Sequence, residues 1–184
     1  MRTSIRTSFF TFALVLVAAA SCLGAKTVIP KETRESITGD YVGKKVEPFT
    51  AVAVSGTELS STAHGARALI ISLWGLNCRS CLEEMKILQP IYEAYEDRGL
   101  NIWAINTEDI GAEEIQKGLR DREIELSYDL IPDPGLEITK LFTSWFIPVT
   151  LIIDSEGIVQ YYKIGFNETD TERIKAKVSA ILAQ

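Results

Sequence analysis

Cys78 and Cys81 stand three positions apart, directly behind the apolar run "RALIISLW" (67–74) and directly ahead of "LEEMKILQPIYEAYEDRG". This order constrains the chain more than any other feature. A continuous apolar run of that length reads as a central strand covered on both faces. Behind the cysteines, Leu82, Met85, Leu88, Tyr92 and Tyr95 recur at helical spacing, and Gly99 supplies a stop. Pro90 lies inside that pattern, so one helix with a kink is expected there, not two helices. The cysteine pair therefore marks a junction from buried strand to amphipathic helix.

Residues three apart on a helix face one another, so a small adjustment of the first turn lets the two sulfurs bond. Cys78 falls at the helix start, where unpaired backbone N–H groups favour negative charge and lower a thiol toward the ~3.5–7.5 range of reactive cysteines. Arg79 adds a neighbouring positive charge, and Cys81, one turn in, is expected to be the buried resolving thiol. The chemistry that follows is exchange: Cys78 attacks a partner disulfide, and Cys81 then releases the reduced partner.

Other uses of the pair fit less well. A structural staple gains most from a long loop, and this one is short. A structural zinc needs four ligands; the pair supplies two, leaving only Cys22 and His64, and His64 in "TAHGAR" reads as an exposed loop residue. A scaffold whose disulfide is static, used only for binding, stays open as an alternative.

Composition places the rest. With 46% hydrophobic and 24% charged residues the chain is globular, and a net charge of −6 without a basic stripe argues against a nucleic-acid partner. The first residues differ. Arg2 and Arg6 precede the apolar "FFTFALVLVAAA", which is shorter than the ~20 residues of a spanning helix and reads as a secretory signal over 1–21. "AAASC" resembles a bacterial lipobox with Ala19 in place of the usual leucine, which makes Cys22 a lipidation candidate; ordinary cleavage after Ala20 or Ala25 is the rival. Residues 22–42 read as a tether and 43–184 as one domain.

Within that domain "EPFTAVAVSGTELSST" reads as a hairpin around Ser55-Gly56, "LNIWAIN" (100–106) as a second buried strand, "AEEIQKGLRDREI" as a helix and "PGLEITKLF" as a shorter one. "PVTLIID" and "GIVQYYKIG" form a closing hairpin. In the last helix, Thr169 and Glu172 have capping-box spacing, and Ile174, Val178, Ile181 and Leu182 make the apolar face. "Asn167-Glu168-Thr169" fits a glycosylation sequon but reads more simply as the approach to that helix.

These residues carry a resemblance. "LWGLNCRSCLEEM" is similar to the W-x-x-x-C-x-x-C-x-x-E core of thioredoxin-like proteins of the extracytoplasmic TlpA/ResA kind, at Trp74, Cys78, Cys81 and Glu84. "FIPVTLIIDSEGIV" resembles their proline-led strand, with Pro148 at the cis-proline position, and the lead-in from about Gly43 matches as well. The resemblance implies an α/β thioredoxin fold: a central mixed sheet flanked by helices on both faces, with an N-terminal hairpin and an extra βα insertion that includes "EEIQKGLRDREIELSYDL". It implies an extracytoplasmic thiol-disulfide oxidoreductase with Cys78, Cys81 and Glu84 as catalytic residues. Trp74, Asn77, Arg79, Ile147 and Pro148 would bind substrate, Ile147-Pro148 by pairing with an extended partner segment. No cofactor beyond the Cys78–Cys81 disulfide and no metal are implied. Partners would be protein thiols and disulfides, reduced in cytochrome c maturation among other settings, with a membrane electron donor of the CcdA/DsbD type and a membrane link only through a lipid anchor or uncleaved signal. The expected place is the periplasm or the outer face of a bacterial membrane.

Departures from the family bear on tuning. Asn77 replaces an aromatic residue, Arg79-Ser80 replaces a proline-containing pair, Lys86 replaces a helix proline, and Ser72 stands where thioredoxins carry Asp and TlpA relatives often Asn. The related peroxiredoxins place one cysteine behind a proline- and threonine-bearing loop, and "SLWGLNC" has neither residue, so a thiol peroxidase is the weaker enzymatic alternative.

Overall fold

The computed structural model describes residues 41–142 and 146–184. The expected signal segment, Cys22 and most of the expected tether lie outside the described residues. The ring of Tyr41 stacks on Tyr162 at 4.5 Å.

Strand β1 (Thr50–Val52) and β2 (Glu58–Ser60) pair antiparallel as the expected hairpin. Five further strands build the main sheet: β3 (Ala68–Trp74), β4 (Leu100–Asn106), β5 (Asp129–Pro132), β6 (Val149–Asp154) and β7 (Val159–Ile164). Their order is β5-β4-β3-β6-β7. Strands β3, β4 and β5 run parallel, and β6 and β7 are antiparallel to their neighbours. Every residue of β3 is buried, as its unbroken apolar pattern requires.

Helices α1 (Arg79–Tyr95), α2 (Ala112–Arg120) and α3 (Asp170–Leu182) cover one face, burying Met85, Leu88, Ile115, Ile174 and Val178 against Ile70, Trp74, Ile102 and Ile152. The opposite face holds Leu69, Ile71, Trp103 and Leu151. It is closed by the lead-in segment, the β1–β2 hairpin and a 3-10 turn at Thr139–Phe142. That turn is what "PGLEITKLF" becomes: Asp133, itself buried, accepts from the N–H of Ile138 and Thr139 and ties the turn down in place of a full helix.

Three local features complete these elements. The edge strand β5 has no strand pattern of its own in the sequence; with α2 it stands where the resemblance implied an extra βα unit. Helix α1 runs through exposed Pro90 as a single element, and Gly99 ends the following 3-10 turn with φ 99°, a left-handed conformation that glycine adopts freely. The expected box of Thr169 and Glu172 does not cap α3. Instead Asn167 Oδ1 accepts the N–H of Thr169 at 3.1 Å, and Asp170 Oδ2 accepts the N–H of Asn167 at 2.8 Å.

Candidate active site

The strand β3 delivers the chain to Trp74, and a turn in which Cys78 N–H donates to Gly75 C=O (3.1 Å) lifts it into α1. Cys78 is the N-cap of that helix, in extended backbone conformation. It is bonded to Cys81 in a disulfide, with the two Cα atoms 5.2 Å apart. The backbone N–H of Cys81 points at Cys78 Sγ, 3.2 Å away. No acidic residue occupies the first turn, so the positive end of the helix is not neutralised from within. Cys78 is half-buried, whereas Cys81 is sealed at 0% exposure. The asymmetry expected of an attacking and a resolving sulfur is therefore present in the geometry.

In the disulfide form Arg79 pairs along its own helix. Its side chain is 92% exposed and its Nε bonds Glu83 Oε1 at 2.9 Å, so its charge is spent on the next turn of the same helix face. Trp74, expected at the substrate surface, is instead completely buried in the core. It is the last residue of an all-buried strand and cannot touch a partner from there. His64 is half-buried, not exposed: its ring meets Trp103 edge-on at 6.4 Å, and burial holds its imidazole below the usual value.

Glu84, on the same face of α1 as Cys81, is 1% exposed. Ser72 Oγ donates to its Oε2 at 2.9 Å, and Thr150 Oγ1 donates to its Oε1. Burial lifts its carboxyl from 4.5 to about 7, the two hydroxyl hydrogen bonds pull it back down, and nearby Asp170 and Lys163 act in opposite directions. A carboxyl in that range can exchange a proton near neutral pH. Ser72 and Thr150 face each other across the β3–β6 ladder, so the cage is built by register.

The loop carrying Asn77 is held by a residue with no signal in the sequence reading. Glu108, just after β4, accepts from Leu76 N–H at 2.8 Å and from Asn77 Nδ2 at 3.0 Å. Its own N–H is fixed by Asn106 Oδ1 at 3.0 Å, and Thr107 N–H donates to Trp74 C=O at 2.8 Å. On the other side, Ile147 reaches the same loop: a Cβ placed on Gly75 would lie 3.2 Å from its Cδ1. The Ile147–Pro148 bond is cis. Among the described residues the main chain of Ile147 makes no hydrogen bond, while Pro148 C=O accepts from Gly165 N–H at 2.7 Å. Cys78, Asn77 and Ile147 thus meet at one loop, Cys81 and Glu84 follow on α1, Trp74 ends the strand before it, and Arg79 pairs with Glu83.

Against known proteins, residues 42–162 match the AhpC/TSA family. The chain belongs to the AhpC/TSA family. Among sequence relatives of this AhpC/TSA-family protein, the thiol-disulfide oxidoreductase ResA of Bacillus thuringiensis is 24% identical over 141 residues, spanning 75% of this chain and 79% of the relative. Among solved structures, the thioredoxin domain of a thiol-disulfide oxidoreductase from Bacteroides vulgatus superposes with a TM-score of 0.64 at 16% identity, covering 77% of this chain and 97% of that one. StoA from Bacillus subtilis gives 0.60 at 19% identity, covering 72% and 97%. The fold of this family member is that of the thioredoxin domains. Among the described residues no group of His, Cys, Asp and Glu could hold a metal ion, and no helix is long and apolar enough to cross a membrane.

Proposed function

We propose that this protein is a thiol-disulfide oxidoreductase that reduces disulfides of partner proteins outside the cytoplasm. The observation that carries the reading is the Cys78–Cys81 disulfide at the mouth of α1, one sulfur half-exposed and the other sealed. In the reduced protein, the Cys78 thiolate is stabilised by its seat at the helix start and by the Cys81 N–H aimed at it. It attacks a partner disulfide; the new S–S bond joins Cys78 to one partner sulfur, and the other leaves as a thiolate and takes up a proton. Cys81 gives its proton to the Glu84 carboxylate and attacks Cys78 Sγ. The second partner thiol departs, and the partner has gained the two electrons that now leave this protein as its disulfide.

The open main chain of Ile147 beside the loop supports an extended partner segment pairing there, with Asn77 at its other side. Export through the segment 1–21, lipidation at Cys22, recharging by a membrane donor of the CcdA/DsbD type and a place in cytochrome c maturation are the narrower parts of the proposal and rest on the resemblance. The Cys81→Ser protein tests the activity: it should accumulate a mixed disulfide with its partners through Cys78, and Cys78→Ser should abolish insulin disulfide reduction. Wild-type reduction by Cys78→Ser defeats the reading. Peroxide consumption at a rate exceeding disulfide reduction would favour a thiol peroxidase, and a Cys78–Cys81 couple inert to dithiothreitol would favour a static binding module.

A further inference from the structure

The carboxyl of Glu84 is not the only charge under the cysteines. The ladder pairs Ala104 with Ser72, Ser72 with Thr150, and Thr150 with Lys163, so four adjacent strands set these residues on one rung beneath α1 and α3. The neighbouring rung on the same face is Ile102, Ile70, Ile152 and Tyr161. Where the sheet would ordinarily continue with apolar side chains, it carries two hydroxyls and an ammonium. Lys163 pairs with Asp170, the first residue of α3, which is 1% exposed while the lysine side chain is 21% exposed. Among the described residues Asp170 Oδ1 has no hydrogen-bond partner, and Arg173 stands 3.7 Å from it.

A buried ion pair is a poor source of stability, because desolvation of both charges offsets their attraction and apolar replacements often do as well. This pair stands one ladder position from the hydroxyl that holds Glu84. We propose that Lys163 and Asp170 are positioning residues for the proton step, the ammonium favouring a charged Glu84 and the carboxylate opposing it, so that their balance adjusts when Glu84 takes the proton of Cys81. The inference rests on the exchange reading given above and extends it to two residues outside the cysteine loop.

The other groups facing Glu84 carry no competing charge. Ser72 and Thr150 are neutral donors from β3 and β6. Tyr161 on β7 is pushed up to about 12 by burial, and Tyr128 ahead of β5 is pushed far above its usual range, so both stay protonated. On α1 the cysteines are joined as a disulfide in the oxidised state. On α3 Arg173 is 67% exposed and screened by solvent. Among the described residues, the charged groups left to act on Glu84 are Lys163 and Asp170.

The test measures the Glu84 midpoint without thiol chemistry, as the pH dependence of urea unfolding of the oxidised protein from pH 5 to 9, and in parallel the pH profile of dithiothreitol-driven exchange. Lys163→Met should move both midpoints up and Asp170→Asn should move both down. Lys163→Arg, which keeps the charge, should restore the wild-type profile. Folded variants whose midpoints stay together within a fraction of a unit overturn the proposal, leaving the pair a purely structural tie. If Lys163→Met does not fold, Asp170→Asn and Lys163→Arg decide by the same criterion. A shifted unfolding midpoint in a protein that exchanges no disulfide would retain the electrostatic linkage and remove the exchange reading, so the two failures are separable.

Discussion

Ser72, in the middle of the most buried strand of the sheet, donates its hydroxyl to Glu84 at 2.9 Å, so a polar residue inside an apolar run faces a carboxyl inside an apolar helix face. With Thr150 on the second oxygen, Glu84 is hydrogen-bonded yet cut off from water. Its folded-state value of about 7 exceeds the 4.5 of the free side chain. Between those values the folded protein binds more protons than the unfolded one, so the contribution to stability is full below about 4.5 and is lost as pH rises through about 7. The difference corresponds to roughly 3 kcal/mol. Urea midpoints of the oxidised protein should therefore fall between pH 5 and 8, and Glu84→Gln should flatten that fall. A decline that persists unchanged in the variant would place its origin elsewhere.

Glu108→Ala removes both acceptors that hold the loop ahead of Cys78. Each such hydrogen bond to a charged group contributes about 1–2 kcal/mol, less where solvent competes. The Leu76 amide, now bonded at 2.8 Å, should exchange its hydrogen at least tenfold faster, and disulfide exchange should slow several-fold while the global melting point changes little. Glu108→Gln keeps an acceptor oxygen and should recover part of the rate. Amide exchange by NMR and stopped-flow kinetics check this directly.

The sequence exposed the frame of this site more readily than its fine tuning, and the residues show why. The run 68–74, the helical period after Cys81 and the closing hairpin are local patterns, and each element formed where its pattern lies. Glu84 was singled out by the resemblance alone, as the acid of the W-x-x-x-C-x-x-C-x-x-E core. Its cage was not legible, because Thr150 is 66 positions away and only the β3–β6 register brings it to Ser72. Lys163 and Asp170 are only seven positions apart, but the place of Lys163 beside Thr150 comes from the β6–β7 register. Glu108 sits in a loop with no periodicity to mark it. The strand β5 is four residues long and ends in proline, so it owes its form to pairing with β4 and not to propensity. Trp74 could be read from the motif as a contact or from the strand pattern as core, and the strand pattern was the better guide.

Arg79→Ala tests how little an exposed charge next to a reactive cysteine contributes here. With its guanidinium 92% exposed and paired to Glu83, its loss should change stability by no more than about 0.5 kcal/mol. The alkylation rate of reduced Cys78 at pH 7 should stay within about twofold of wild type, since the helix start and the Cys81 N–H remain. A tenfold drop would mean that the guanidinium turns toward Cys78 in the reduced protein.

Thr150→Val and Ser72→Ala each remove one hydroxyl from the Glu84 cage, and their effects should depend on pH in a specific way. Both hydrogen bonds favour the charged carboxylate, so losing either raises the carboxyl further above about 7. Below pH 6, where Glu84 is protonated in all variants, the stability cost should be small, because a neutral acid retains the other hydroxyl as partner. Above pH 8 the carboxylate is charged and under-bonded, and the cost should reach about 2–3 kcal/mol for each variant. The two hydroxyls hold opposite oxygens of the same group, so the double variant should depart from additivity at high pH and not at low pH. Urea unfolding of the four proteins at pH 5.5 and 8.5 completes the cycle; equal costs at both pH values would show that the hydroxyls serve packing and not the charge of Glu84.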